Sequence, residues 1–291
     1  MGAAVAPLVL EHFIPSSLLA GFFPMDDADE TLCKQKFEFA IDQQLAERPI
    51  NEVIAEIGKT FIGTEYVGHV LEQSGEERLV VNMRALDCVS FYENSLVLAR
   101  CIKMKKFTFE DYKAQLQLVR YRGGIIDGYP SRLHYTTDYW YDNERKGVLK
   151  VVTRQIFGDQ NVKPIPKPIN FMSTHRSTYK QLANGQWYEA IVKQEEAINS
   201  RESFFLPKGN VHIFADKIKT GSLLGITTNL PGMDIAHTGV AIRLENGELH
   251  FMHAPNVGYK VQITEVPLHD YLAQNAKQTG IIVAEPLEPA M

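Results

Sequence analysis

Residues 86–99 read Leu86-Asp87-Cys88-Val89-Ser90-Phe91-Tyr92-Glu93-Asn94-Ser95-Leu96-Val97-Leu98-Ala99. The run after Cys88 contains neither Gly nor Pro, which predicts a helix, and Asp87 is suited to its N-cap. A thiol in the first helical turn feels the positive end of the backbone dipole, which favours thiolate and lowers the pKa. Cys88 is therefore a candidate nucleophile. The competing reading is a small buried hydrophobe, and nucleophilic catalysis needs a base from elsewhere in the chain. Upstream lies a glycine-punctuated turn, Ile62-Gly63-Thr64-Glu65-Tyr66-Val67-Gly68, followed by a short apolar segment, Leu79-Val80-Val81-Asn82.

The 291 residues, 45% of them hydrophobic and 22% charged, suffice for a large core and one or two domains. A net charge of −5 offers no basic face, so no nucleic-acid partner is expected. No apolar run approaches the ~20 residues that span a bilayer. The segment Met1–Phe23 is apolar but has no Lys or Arg, and Glu11, His12 and Pro15 interrupt it; it does not read as an intact export signal. Three cysteines, Cys33, Cys88 and Cys101, are no disulfide framework, although Cys33 and Cys101 remain a candidate pair. No Cys/His or His/Glu spacing suggests a metal site, and no cofactor is expected.

Along the chain, residues 24–60 read as helices broken at Pro49, and Phe107–Asp111, an N-cap with acidic residues, leads into a helix from Tyr112 to Arg120. Residues 121–145 are rich in Gly, aromatics and Arg, which suits a loop lining a groove or a rigid surface loop. Pro164, Pro166 and Pro168 mark an extended passage, and residues 170–200 return to helix. The last third reads as β. Strands are expected at Asn210–Phe214, after a turn within Lys219–Thr228, at Ala236–Leu244, Glu248–Ala254 and Tyr259–Ile263, with Gly280–Ala284 closing the sheet and a short helix around Leu268–Ala273.

The ordered set resembles the NlpC-type, papain-like cell-wall cysteine peptidases. Gly63-Thr64-Glu65-Tyr66-Val67-Gly68 is similar to their glycine turn, with Glu65 where Pro is usual. Asp87-Cys88 is similar to their nucleophile motif, with Val89 replacing the common Ser. Gly221-Ser222 stands where Gly-Asp is usual, His237-Thr238-Gly239-Val240-Ala241-Ile242 resembles the catalytic-His strand, and His253-Ala254 the strand with the third polar residue. Leu86–Asn94, with Arg120-Tyr121-Arg122-Gly123-Gly124 and Ser131-Arg132-Leu133-His134-Tyr135, looks like the N-acetylmuramoyl-L-alanine amidase branch, over about Val53 to Ala284.

That resemblance implies an α+β fold. A papain-like core would pack a nucleophile helix on an antiparallel sheet, with N-terminal helices and a mid-chain insertion. The expected division is 1–52 (N-terminal helical segment), 53–101 with 205–291 (catalytic core) and 102–204 (insertion lining the groove). The implied activity is cleavage of the N-acetylmuramic acid–L-alanine amide in peptidoglycan fragments through a thioester. A D-Glu–diamino acid endopeptidase and a non-catalytic muropeptide-binding module are the alternatives. Cys88 would be the nucleophile, His237 its ion-paired base and His253 the residue orienting the imidazole. Tyr66 would lie near the oxyanion, and Asp87, Arg132, His134 and Tyr135 would contact substrate. Periplasm or cell envelope follows from that function alone.

Hairpin parity separates two candidates for the third role. A three-residue Glu245-Asn246-Gly247 turn, with Gly247 left-handed, pairs Leu244 with Glu248 and Gly239 with His253, placing His237 and His253 on one face. A two-residue Asn246-Gly247 turn puts His253 on the opposite face and pairs Asn256 with His237. The apolar pattern leans towards the second turn, since Leu249 and Phe251 then join Ile242 and Leu244; the resemblance favours His253.

Overall fold

The computed structural model describes residues 27–256 and 258–290; the segment Met1–Phe23 lies outside them. Helices α1 (Asp27–Asp42), α2 (Ile50–Lys59), α3 (Cys88–Lys103), α4 (Phe109–Arg120), α5 (Thr136–Arg145), α6 (Gly185–Asn199) and α7 (Leu268–Ala273) accompany ten short strands. These are β1 (Glu65–Tyr66), β2 (Ala85–Leu86), β3 (Leu149–Val151), β4 (Lys163–Pro164), β5 (Phe204–Pro207), β6 (Leu223–Thr228), β7 (Ile235–Arg243), β8 (Leu249–His253), β9 (Gln262–Ile263) and β10 (Gln278–Pro286). An antiparallel sheet runs β4-β5-β10-β6-β7-β8-β9, with β3 also paired to β10; β1 and β2 form a separate parallel pair. The α+β expectation holds.

Helix α3 is the axis of the core. From Ser90 to Ile102 every residue is buried, which is why this run carries apolar residues on all sides rather than on one stripe. Two polar side chains inside it are satisfied locally: Asn94 Nδ2 donates to Ser90 O and Asn82 O, and Ser95 Oγ to Phe91 O. The buried Glu93 pairs with the buried Arg120 of α4 at 2.5 Å. Burial opposes the guanidinium's charge, but Glu93 outweighs it and holds the Arg120 pKa above its ordinary value. Removing one partner of such a pair leaves a lone buried charge, at a cost of roughly 3–5 kcal/mol.

The sheet is covered on both faces, because side chains alternate. Val240, Ile242, Met252, Leu223 and Ile282 join α2 and α3 in one hydrophobic cluster. Leu224, Ile226, Ala241, Leu249, Phe251, Ile281 and Val283 meet Leu268 and Leu272 of α7 in the other. Residues 102–204 share the first core, through Trp140, Leu149, Ile165, Leu182 and Ile198, with Cys33 and Phe37 of α1.

Four local expectations change. Residues 210–214 are not a strand: Lys208–Asn210 is a 3-10 turn and Val211–Phe214 a helical turn. Val211 is buried, Phe214 packs on Phe157 at 5.6 Å, and Ile213 is exposed, a helical rather than alternating spacing. β10 does not close the sheet but lies inside it, between β6 and β5, and its continuous apolar run is what a strand buried on both faces needs. Of Tyr259–Ile263 only β9 joins the ladder, because the preceding residues bond back to the glycine turn. Cys33 and Cys101 are both buried free thiols, not a disulfide.

Candidate active site

The start of α3 is built by its own sequence. Asp87 has extended φ/ψ, its side chain accepts from Ser90 N at 2.7 Å, and Ser90 Oγ accepts from Asp87 N at 2.9 Å. This reciprocal capping box satisfies two otherwise orphaned donors and contributes about 1 kcal/mol. Asp87 Oδ1 is thereby committed to backbone geometry. The helix that begins at Cys88 packs against β7, and Thr238 of that strand acts on the thiol electrostatically.

The glycine turn is anchored across the site. Gly63 N donates to Val261 O, Val261 N to Thr64 O, and Tyr66 N to Tyr259 O, while β1 pairs with β2 immediately before Asp87. Tyr66 is therefore fixed on both sides of its backbone. Its phenol, half-buried, is pushed up by burial and by the neighbouring Cys88 and Asp87.

The hairpin uses the three-residue turn. Leu244 N donates to Glu248 O at 3.0 Å, Gly247 has φ +84°, and the ladder pairs Val240 with Met252 and Ala241 with Phe251. Gly239 thus stands opposite His253. The lean of the apolar pattern towards a two-residue turn is overturned by size: Gly239 leaves room for Phe251. A Cβ at 239 would lie 2.7 Å from the Phe251 ring and 2.5 Å from Met252 O. His237 and His253 emerge on one face, with His237 Nε2 2.7 Å from His253 Nδ1. Asn256 is exposed beyond the strand end.

Burial sets the protonation states. It pushes the Cys88 thiol from 9.0 up to about 11; Asp87 adds to this, and Thr238 pulls the other way without prevailing. Burial pushes His237 from 6.5 down to about 4, and burial with the His237 neighbour pushes His253 down to about 2. Burial outweighs the helix dipole, so the Cys88 thiol lies above its ordinary value rather than below it, and the neutral thiol and neutral imidazole are the favoured forms although both side chains keep part of their surface open.

The other expected contacts divide. Arg132 is buried and its guanidinium is occupied: Nη2 reaches Glu72 at 2.8 Å, Nη1 donates to Leu71 O at 2.7 Å, and Nε lies 3.4 Å from Glu77. It braces residues 71–77 instead of presenting a free fork. His134 lies tilted against Tyr129 with centroids 4.4 Å apart, bonds Tyr129 O through Nε2, and is pushed down to about 3 by burial and Arg132. Tyr135 is buried; its hydroxyl donates to Glu195 and accepts from Met172 N. None of the three is shown contacting Cys88 or the histidines.

Sequence reasoning missed Thr238 and Tyr271. Thr238 sits inside the quoted His-Thr-Gly run, so its spacing was visible but its electrostatic influence on Cys88 was not. Tyr271, on α7, packs its ring on His253 at 5.2 Å, and its phenol is raised above the ordinary range by burial, with Gln278 pulling the other way and Cys88 adding to the rise. Nothing in a six-residue helix signals that placement.

Residues 56–281 match a family model described as AmiA-like, N-acetylmuramoyl-L-alanine amidase-like. A crystal structure of an N-acetylmuramoyl-L-alanine amidase from Bacteroides uniformis is 34% identical with a TM-score of 0.75, covering 82% of this chain and 99% of its own. A Bacteroides fragilis protein named as a candidate xylanase is also 34% identical, with a TM-score of 0.72, covering 78% of this chain and 98% of its own. A Legionella pneumophila protein at 20% identity and a TM-score of 0.66, covering 90% and 95%, shares the fold. No curated protein sequence matches the chain.

Proposed function

The chain belongs to the AmiA-like family of N-acetylmuramoyl-L-alanine amidase-like proteins, and from that premise we propose that it is a cysteine amidase. Its substrate is the amide between N-acetylmuramic acid and L-alanine in peptidoglycan fragments, which places it in the periplasm or cell envelope. The observation that carries the reading is the His237–His253 pair, 2.7 Å apart across β7 and β8, with the helix that begins at Cys88 packed against β7. Nucleophile, base and orienting group are the parts that amide cleavage requires.

The chemistry follows from the neutral resting state. As the Cys88 sulfur attacks the muramoyl carbonyl carbon, its proton passes to His237 Nδ1, and Nε2 remains bonded to His253. The Cys88 N–H, in the first helical turn, has no intrahelical acceptor and is free to donate to the developing oxyanion, with the Tyr66 hydroxyl beside it. Collapse breaks the C–N bond. The leaving amine of L-alanine takes the proton from His237, leaving a thioester. His237 then deprotonates water, which attacks the thioester and returns the proton to the sulfur, releasing the muramic acid carboxylate.

Glycosidase chemistry, suggested by one neighbour's name, uses a pair of free carboxylates; the carboxylate at this centre, Asp87, is bonded into the helix cap. The deciding experiment incubates the protein with defined muramoyl peptides and identifies the new amine by mass spectrometry. Wild-type protein should release a peptide beginning with free L-alanine, and Cys88→Ala should release none while unfolding at the wild-type temperature. Full activity in Cys88→Ala sinks the proposal, and a new amine on the diamino acid instead moves the cut to the endopeptidase position.

A further inference from the structure

His253 presents an unfinished hydrogen-bond account. It is 1% exposed, Nδ1 meets His237 Nε2 at 2.7 Å, and Nε2 is buried with no nitrogen or oxygen partner among the described residues. Burying an unpaired N–H is costly, so such a group needs an explanation. The ring is walled by aromatics: Phe251 lies tilted at 4.8 Å, and Tyr271 crosses it at 5.2 Å with planes 76° apart. That near-perpendicular crossing is the arrangement in which the edge of one ring meets the face of another.

Tautomer logic gives the contact a task. For His237 to accept the thiol proton, its Nδ1 must carry the lone pair, so its proton is on Nε2 and is donated to His253 Nδ1. His253 then carries its own proton on Nε2. If that proton moved to Nδ1 instead, it would be donated to His237 Nε2, and His237 would hold its proton on Nδ1, facing away from its use as a base.

We propose that the ring face of Tyr271 is the acceptor for the His253 Nε2–H, making Tyr271 a positioning residue that selects the base-competent tautomer of His237. An N–H directed at an aromatic face is a weak bond, but its alternative here is no bond. Tyr271 is itself held: Leu268 and Leu272 anchor α7 in the second core, Tyr271 N donates to Pro267 O, and the ring packs on Phe251 at 5.8 Å. The ring, not the hydroxyl, carries this role. The consequence for turnover rests on the amidase reading; the tautomer does not.

The test reads the tautomer directly. In 15N-labelled Cys88→Ala protein, where no turnover is in question, His253 should show a protonated Nε2 and an unprotonated Nδ1. Its Nε2–H should be slow to exchange and shifted upfield by the ring. A protonated Nδ1, or an Nε2–H without a ring shift, overturns the proposal with no variant of Tyr271 needed. In the active protein, Tyr271→Phe keeps the face and should retain the wild-type tautomer and kcat. Tyr271→Leu should mix the tautomers and lower kcat roughly tenfold with KM little changed. Equal losses in both variants, or Tyr271→Leu with the wild-type 15N pattern, overturn it. An inactive wild-type protein with the expected 15N pattern would instead count against the amidase reading alone.

Discussion

Nε2 of His237 lies 2.7 Å from Nδ1 of His253, and this contact exists because Leu244 and Glu248 close the hairpin over three residues. One residue fewer in the turn would turn His253 to the opposite face.

His253→Ala should lower kcat between roughly tenfold and a thousandfold, because the base loses the group that orients it. His253→Asn, which can accept from Nε2 of His237, should recover part of the loss. Asn256→Ala should leave kcat within about twofold of wild type. Steady-state rates on a muramoyl peptide check all three, and a larger effect at Asn256 than at His253 would reverse the assignment.

The thiol–imidazole resting state has a measurable signature. With Cys88 raised from 9.0 to about 11, its thiolate fraction near neutral pH is roughly a hundredfold below that of an ordinary thiol. Iodoacetamide should alkylate it slowly at neutral pH and faster as pH rises towards 11, although the enzyme turns over. Rapid alkylation at neutral pH would mean a preformed ion pair.

Acid should destabilise the fold from below the ordinary imidazole value. His237 is depressed from 6.5 to about 4, His253 to about 2 and His134 to about 3, each by burial first. Their folded-state contributions are fully present above 6.5. As pH falls from there, the unfolded chain takes up protons that the folded chain refuses, so stability drops by up to ~1.4 kcal/mol per pH unit for each imidazole until the folded groups also titrate. The same protonation of the His237–His253 pair should end activity at about pH 4. Thermal melts between neutral pH and pH ~4 should show the slope, and His134→Gln should reduce it without moving the acid limb of activity.

Arg132→Met separates bracing from substrate contact. The change strands Glu77 and Glu72, whose side chains are only 10% and 27% exposed, beside an apolar side chain. Loss of such a partner costs about 3 kcal/mol, and the melting temperature should fall by several degrees. A raised KM with unchanged melting temperature would show that Arg132 holds substrate instead.

Gly247 should tolerate Asn and resist Val. Its φ of +84° strains side-chain-bearing residues, and no atom lies within 4 Å of an added Cβ. The penalty is therefore backbone strain alone, about 1 kcal/mol for Ala and more for a β-branched residue. Chemical denaturation of Gly247→Asn, →Ala and →Val should rank them in that order.

Much of the site was legible because it is local. Asp87, Ser90 and the Gly-free run that follows specify a capped helix within a few residues, and Asn246-Gly247 between two β-rich runs specifies a hairpin. The motif order around Cys88 and His237 pointed to the family before any coordinates. Three things were settled by packing across the chain. Phe251 against Gly239 chose the hairpin register and so the partner of His237. Burial around Cys88 opposed the lowering expected from a helix start, since desolvation depends on every neighbour and not on the helix alone. Glu72 and Glu77, some sixty residues away in sequence, took the guanidinium of Arg132. The sequence by itself determined which groups are available and on which elements they stand; the tertiary structure decided their protonation, facing and partners, because those are set by what distant segments bring against them.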